Sequence, residues 1–181
     1  REYERTLSAA LTSLLRPIMD RHLCFFPDND LAELSDLWLM QSNGGVAPAQ
    51  SAIENPLAST MSGPVAAVIG MNWIGRQCGV ANAITFDVGG TSTDVALITE
   101  GVVQKKSVSD IGNFSLKLSS LDVLSIGAGG GSLAFMAQDK RWHVGPESAG
   151  ALPGPVCYAQ GGVQPTLTDA NLVLGRIPES L

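Results

Sequence analysis

"ITFDVGGTSTDVALI", from Ile84 to Ile98, is the stretch that decides the fold. It is apolar at both ends, with Gly89, Gly90, Thr91, Ser92 and Thr93 in its middle and Asp87 and Asp94 on either side of them. It reads as two strands, Ala83–Val88 and Asp94–Ile98, joined by a bare turn. Gly89 and Gly90 remove side chains, so a ligand can approach the backbone and positive φ is free. Successive N–H groups in such a turn form an anion-binding concavity. Thr91, Ser92 and Thr93 add hydroxyl donors. A carboxylate at Asp87 beside a phosphate cradle makes chemical sense when Mg²⁺ lies between them, commonly through water. Asp94 is either a second metal-facing or water-orienting carboxylate, or a group that bonds the turn's own backbone. A plain hairpin with a glycine loop is the alternative for the whole stretch. No Lys follows the glycines, so the Walker pattern is absent.

Outward from the turn, Glu100-Gly101 signals a tight turn into a third strand over Val102–Val108, which makes an antiparallel meander. "LDVLSI" is a further strand that runs into "GAGGGS", Gly127 to Ser132. "LAFMAQD" is expected to open a helix, whose first N–H groups would face an anion. Gly127, Gly129, Gly130, Gly131 and Ser132 are therefore candidate nucleotide contacts, with structural packing as the alternative. Glu147 stands where a dinucleotide fold places its acidic residue. However, "RWHVGPE" does not read as the end of a second parallel strand.

Upstream, the apolar spacing from Arg1 to Leu23 is that of an amphipathic helix, with Pro17 expected to kink or interrupt it. "FFPDND" is a loop, and Leu37–Gln41 a short strand followed by a turn at Asn43-Gly44-Gly45. In "SGPVAAVIGMNWIGRQCG", Ser62 or Gly63 caps a helix or holds an anion, Pro64 suits its first turn and Gly79 ends it. Ala66, Ala67 and Gly70 suggest close packing on a sheet. In "TDANLVLGR", Thr168 or Asp169 caps a last short helix, with a catalytic acid as the alternative for Asp169. Asp122 either faces the site or pairs elsewhere. His143 reads as surface or packing, and Cys157-Tyr158 as core anchoring.

The composition narrows the class. The chain has 181 residues, 45% hydrophobic and 15% charged, with a formal charge of -6. That is globular, and too acidic for phosphate-backbone recognition, so no nucleic-acid partner is expected. No apolar run approaches the ~20 residues of a membrane span. No leader stands at the start, and the opening at Arg1 inside a helix suggests a piece of a longer protein. Cys24, Cys78 and Cys157 are far apart with no zinc spacing, which fits the cytoplasm.

The hairpin resembles the strand–DxGGT–strand element of the superfamily that holds actin, sugar kinases and heat-shock chaperones. A narrower resemblance rests on "REYERT", "MQSNGGV", "SGPVAAVIG", "ITFDVGGTSTDVALI", "SIGAGGGSLAF", "VGPESAGALPGPVCY" and "PTLTDANLVLGR", in order along nearly the whole chain. It is similar to the hydantoinase A / 5-oxoprolinase family (hydantoin utilization protein A), which includes ATP-binding subunits of acetone and acetophenone carboxylases.

The resemblance implies an α/β fold, one ribonuclease-H-like lobe of the actin type with an antiparallel meander and flanking helices. Residues 1–181 would be a single-domain fragment, with a helical and strand segment over 1–80 and the phosphate hairpin and glycine loop over 81–181. It would be the second of two lobes around ATP and Mg²⁺, the N-terminal lobe being absent. Asp87 would organise Mg²⁺ and, with Asp94, serve catalysis; Gly89, Gly90 and Thr91 would hold phosphate. The implied activity is an ATP-dependent hydrolase that opens hydantoin, N-methylhydantoin or 5-oxoproline through phosphoryl activation of the carbonyl, with a hydantoinase B-type partner. Two readings stand beside it: the ATP-binding subunit of a carboxylase, and a non-catalytic scaffold. The fragment alone is expected to bind ATP weakly. Two departures from the family pattern are Leu124, where a histidine is common, and Ala159, where a glycine is usual after "CY".

Overall fold

The computed structural model of the chain describes residues 2–23 and 37–179. The expected "FFPDND" loop and Cys24 lie outside the described residues. In chain order the elements are α1 (Glu2–Leu23), β1 (Trp38–Met40), β2 (Val46–Pro48), α2 (Ala49–Glu54), α3 (Ser62–Gln77), β3 (Ala83–Val88), β4 (Thr93–Thr99), β5 (Val102–Val103), β6 (Lys105–Lys106), β7 (Ser109–Ile111), β8 (Phe114–Leu116), β9 (Ser120–Leu121), β10 (Val123–Ile126), β11 (Ser132–Met136), β12 (Trp142–Ser148) and α4 (Leu167–Val173). Short 3₁₀ turns occupy Pro56–Ser59 and Val156–Tyr158. The architecture is mixed α/β, and every strand pair with a defined register is antiparallel. The chain divides into two compact units, Arg1–Ala83 with Leu97–Val123, and Ile84–Ala96 with Leu124–Leu181.

In the first unit, α1 runs through Pro17 without a break, although that proline forfeits the bond to the Ser13 carbonyl. Leu23 at its end is buried against Ala49 and Ile53, with Met19, Leu37 and Leu39 packed around them. Much of the stripe expected to be buried is open: Tyr3, Leu14 and Ile18 are exposed. The Asn43 side chain accepts from the Gly45 N–H at 2.8 Å, and Gly44 adopts φ +87, so turn chemistry accounts for this loop.

Helix α3 departs from expectation at its start and agrees at its end. Neither Ser62 nor Gly63 caps it; Met61 is the N-cap and gives no side-chain bond. At the other end Gly79 takes φ +71, its N–H reaches the Arg76 carbonyl at 3.2 Å, and the Val80 N–H reaches the Gly75 carbonyl at 2.8 Å. That is a Schellman ending, which needs a residue without a Cβ penalty. The buried face of α3 is Val65 and Val68, while Ala66 and Gly70 are exposed, so the small residues are not its packing surface. Glu100 and Gly101 both have positive φ, as a type I′ hairpin requires, and set Thr99 opposite Val102. The third strand is shorter than expected and breaks after Val103.

In the second unit the sheet order is β10–β4–β3. Strand β3 buries Thr85 and half-buries Asp87, leaving Ile84, Phe86 and Val88 exposed on its other side. The Thr85 hydroxyl accepts from the Ala96 N–H at 3.0 Å and pins the hairpin. "LAFMAQD" is not a helix. Its first four residues, with Ser132, form β11, which pairs with β12 so that Phe135 faces His143 and Met136 faces Trp142. The apolar run is too short to hold a 3.6-residue period, and the partner strand supplies the ladder that fixes it as β. The Phe135 and His143 rings stack at 5.7 Å.

Candidate functional site

The glycine turn closes on itself first. The Gly89 N–H donates to the Ser92 carbonyl at 2.8 Å. Carried two residues along both strands, this register sets Asp87 opposite Asp94 on the face that carries Thr85 and Ala96. Two like charges opposite each other destabilise a strand pair unless a cation or donor lies between them. The Asp94 Oδ1 is sealed from solvent and has no hydrogen-bond partner. No side-chain partner of Asp87 exists among the described residues.

Gly127–Gly131 then lies along the turn. The Gly130 N–H donates to the Gly89 carbonyl at 2.9 Å and the Gly131 N–H to the Gly90 carbonyl at 2.6 Å. The Thr93 hydroxyl donates to the Ala128 carbonyl. Glycine is required here for contact, not for φ, since neither turn glycine and none of the run takes a left-handed φ. A Cβ at Gly129 would stand 2.7 Å from the Gly89 oxygen and the Ser92 nitrogen. Ser132 is fully buried and its Oγ accepts from the Gly129 N–H at 2.8 Å, which folds the run back on itself. Because β11 follows, no helix starts directly after the glycine run.

A third segment completes the enclosure. The Thr168 hydroxyl and N–H both donate to the Gly130 carbonyl at 2.8 Å. Thr166 is the N-cap of α4, and Asp169, at the third helical position, returns the bond in a full capping box. Neither Thr168 nor Asp169 is itself the cap. Asp169 also accepts from the N–H of Val156 at 3.2 Å and of Cys157 at 2.7 Å, so it holds the "GPVCY" loop in place. Burial would raise this carboxyl, but the donors from Cys157 and Thr166 outweigh it and hold the group down at about 2. Desolvation, and then Asp169 itself, push the Cys157 thiol up.

The result is a cavity of about 470 Å³ walled by Gly89, Gly90, Thr91, Gly130, Gly131, Gly150, Ala151, Pro155, Tyr158 and Thr168. Of the residues expected at the site, Gly89, Gly90, Thr91, Gly130 and Gly131 reach this wall. Asp87, Ser92, Thr93, Asp94, Gly127, Gly129 and Ser132 do not line it. Asp122 is exposed and pairs with Lys106 at 3.8 Å in the first unit. The sequence reading missed Thr168, Gly150, Ala151, Pro155 and Tyr158 as wall residues; the dense Gly/Pro composition of "GPESAGALPGPVCY" was the available signal.

The chemistry of the wall is that of an anion cradle. Among the described residues, no group accepts from the N–H of Gly90 or Thr91. Among the described residues no Lys or Arg lines the cavity. Among the described residues, what faces a bound phosphate is therefore the backbone dipoles of the turn. The opposed Asp87 and Asp94, with an orphaned oxygen, fit a hydrated divalent cation, which takes one or two carboxylates together with substrate phosphates. Among the described residues no group of three or more His, Cys, Asp or Glu clusters as an all-protein cage.

Comparison with known proteins agrees with the motif reading. The chain is 38% identical over 183 residues to caprolactamase subunit alpha from Pseudomonas jessenii, covering 99% of this chain and 26% of that protein. The crystal structure of the ATP-dependent caprolactamase from that organism matches with a TM-score of 0.73 over 98% of this chain and 26% of that one. Against 5-oxoprolinase 1 of Arabidopsis thaliana the identity is 39%, covering 98% of this chain and 14% of the relative. A nucleotide-free structure of acetone carboxylase matches with a TM-score of 0.82 and 29% identity, over 98% of this chain and 25% of that one. The chain thus spans about a quarter or less of the length of these relatives. The hydantoinase/oxoprolinase family profile matches residues 5–181, and the chain belongs to that family.

Proposed function

We propose that this chain carries part of the phosphate site of a longer ATP-dependent enzyme that opens cyclic amides. The observation that carries the reading is the cavity walled by Gly89-Gly90-Thr91 and Gly130-Gly131, with free N–H groups at Gly90 and Thr91. On this reading the second unit belongs to one actin-type, ribonuclease-H-like lobe, and a further lobe of the parent faces the phosphates. A hydantoinase B-type partner and a cytoplasmic location complete it. Among the described residues no helix is long and apolar enough to cross a membrane.

In that site the Gly90 and Thr91 N–H groups and the Thr91 hydroxyl bind phosphate oxygens and fix the direction of transfer. The rigid backing of Gly129 on the turn keeps those donors aimed without reorganisation. Asp87 and Asp94 would hold Mg²⁺, which supplies neutralisation of the charge developing on the transferred group. An unactivated lactam is a poor electrophile, and phosphorylating its oxygen weakens the C–N bond toward water.

A carboxylase acceptor is the second reading, favoured by the TM-score of 0.82 to acetone carboxylase. Phosphate release by the intact parent, with Mg-ATP and each of hydantoin, 5-oxoproline, caprolactam and acetophenone plus bicarbonate, chooses between them. A lactam should stimulate release, and Asp94→Asn and Asp87→Asn should abolish it. Stimulation by the ketone alone selects the carboxylase. No stimulation by any of them, with the partner present, removes the enzyme reading and leaves a scaffold.

A further inference from the structure

The glycine cradle has a neighbour. A second cavity, of about 480 Å³, shares Tyr158 and Thr168 with it and lies wholly in the second unit. The loop that walls it is fixed. Asp169 accepts from the Cys157 N–H at 2.7 Å, and the Tyr158 N–H donates to the Pro155 carbonyl at 3.1 Å. The Tyr158 ring lies close to Gly154, where a Cβ would stand 3.0 Å from its Cδ2. Ala159, at φ +56, turns the chain so that Gln160 also lines the cavity.

The lining divides by chemistry. Leu172, Ile177 and Pro178 supply hydrocarbon, and Tyr158 supplies a ring that is 52% exposed. Thr168 spends its hydroxyl on the Gly130 carbonyl, and the Cys157 thiol lies against Asp169. That leaves the Tyr158 hydroxyl, the Gln160 amide and the Glu179 carboxylate, and among the described residues none of the three has a partner.

Each of these groups selects part of a ligand. An open aromatic ring takes a base by stacking. The donor and acceptor of a glutamine amide complement the N6 and N7 edge of adenine. A carboxylate accepts from ribose hydroxyls and disfavours a further anion. A cavity of this size suits a drug-sized molecule, and a cyclic amide is far smaller. We propose that this second cavity takes the adenine nucleoside of the nucleotide whose phosphates lie in the glycine cradle. The inference rests on the phosphate reading of the first cavity. The base stacks on Tyr158, pairs with Gln160 and lies along Leu172 and Ile177, while Glu179 accepts from the ribose.

The test is a calorimetric titration of the intact parent with a non-hydrolysable ATP analogue and, separately, with tripolyphosphate, each with Mg²⁺. Tripolyphosphate engages the cradle alone. The analogue should bind at least about tenfold more tightly, the worth of a stacked base. Gln160→Ala should weaken the analogue about three- to tenfold and leave tripolyphosphate unchanged. Leu172→Asn should weaken the analogue about tenfold, roughly half of a leucine's full burial, again with tripolyphosphate unchanged. Equal affinity of the two ligands in the parent overturns the proposal and leaves the phosphate reading standing. So does an undiminished analogue affinity in either variant, or a fall that tripolyphosphate shares in Gln160→Ala. Gln160 is exposed, so that variant decides where Leu172→Asn does not fold. Binding of neither ligand by the parent overturns the phosphate reading, and the proposal with it.

Discussion

Two glycine runs meet in the second unit, and they use the missing Cβ for opposite ends. At Gly90 a Cβ would meet nothing within 4 Å, so the space beside the turn is left for something else. At Gly129 the same atom would stand 2.7 Å from three backbone atoms of the turn. One glycine keeps a surface open; the other lets two backbones touch. Both look alike in a sequence, and only the second is bound to the fold itself. The difference explains why the cradle can be both accessible and rigid.

The sharpest way to break this comparison is a pair of alanines. Gly129→Ala must push rigid backbone aside and should cost about 3 kcal/mol, near the upper end for overpacking. Gly90→Ala should leave stability within about 0.5 kcal/mol, as surface changes do, yet lower ATP-dependent phosphate release by the intact parent. Urea unfolding midpoints of the two variants decide it. Equal midpoints would mean that the two runs play the same part. Gly131 sharpens the scale, since its Cβ would meet the Gly90 oxygen and Ser148 Oγ at 3.0 Å, and its alanine should fall between the other two.

The open run was legible and the packed run was not, for a physical reason. The hairpin carries its own information: apolar flanks, two glycines and short range fix strands within one residue of those found, Ala83–Val88 and Thr93–Thr99. Gly79 likewise announced its helix end through a local rule. What failed was non-local. β11 was expected to be helical because its ladder partner, Trp142–Ser148, lies beyond a turn and leaves no mark on residues 132–136. Thr168 was weighed only as a cap, because the contact that makes it a cavity wall is with Gly130, 38 residues away. The unpaired Asp94 Oδ1 was invisible for the same reason: a missing partner has no sequence.

The wall opposite the glycines is held by charge rather than by absence of side chains, and this gives the next test. Asp169 accepts from Val156, Cys157 and the Thr166 N–H and hydroxyl. Asp169→Asn should cost about 1–2 kcal/mol at neutral pH, since it breaks both the capping box and the loop anchor. The folded carboxyl sits at about 2, below its ordinary 3.8. Its contribution is therefore fully present above pH 3.8 and is lost as the pH falls toward 2. The gap between the parent chain and Asp169→Asn, measured by urea unfolding, should be constant at higher pH and close across that window. A gap that does not narrow there would show that the loop is held by something other than the ionised carboxylate.

The smallest effect returns a glycine where this chain lacks one. Ala159, beside the wall residue Tyr158, holds φ +56, a left-handed conformation that a Cβ makes unfavourable. Ala159→Gly removes the Cβ clash but frees the unfolded chain, and the two terms oppose each other. The steric term is the larger, so the variant should gain about 0.5 kcal/mol, at the limit of a thermal melt and best read from paired urea curves. A loss instead of a gain would mean that the alanine methyl packs usefully against the "GPVCY" loop. That would leave Gly150, a wall residue at φ +67 whose Cβ would meet only the Leu152 oxygen at 3.9 Å, as the cavity's example of this third use of glycine, for φ alone.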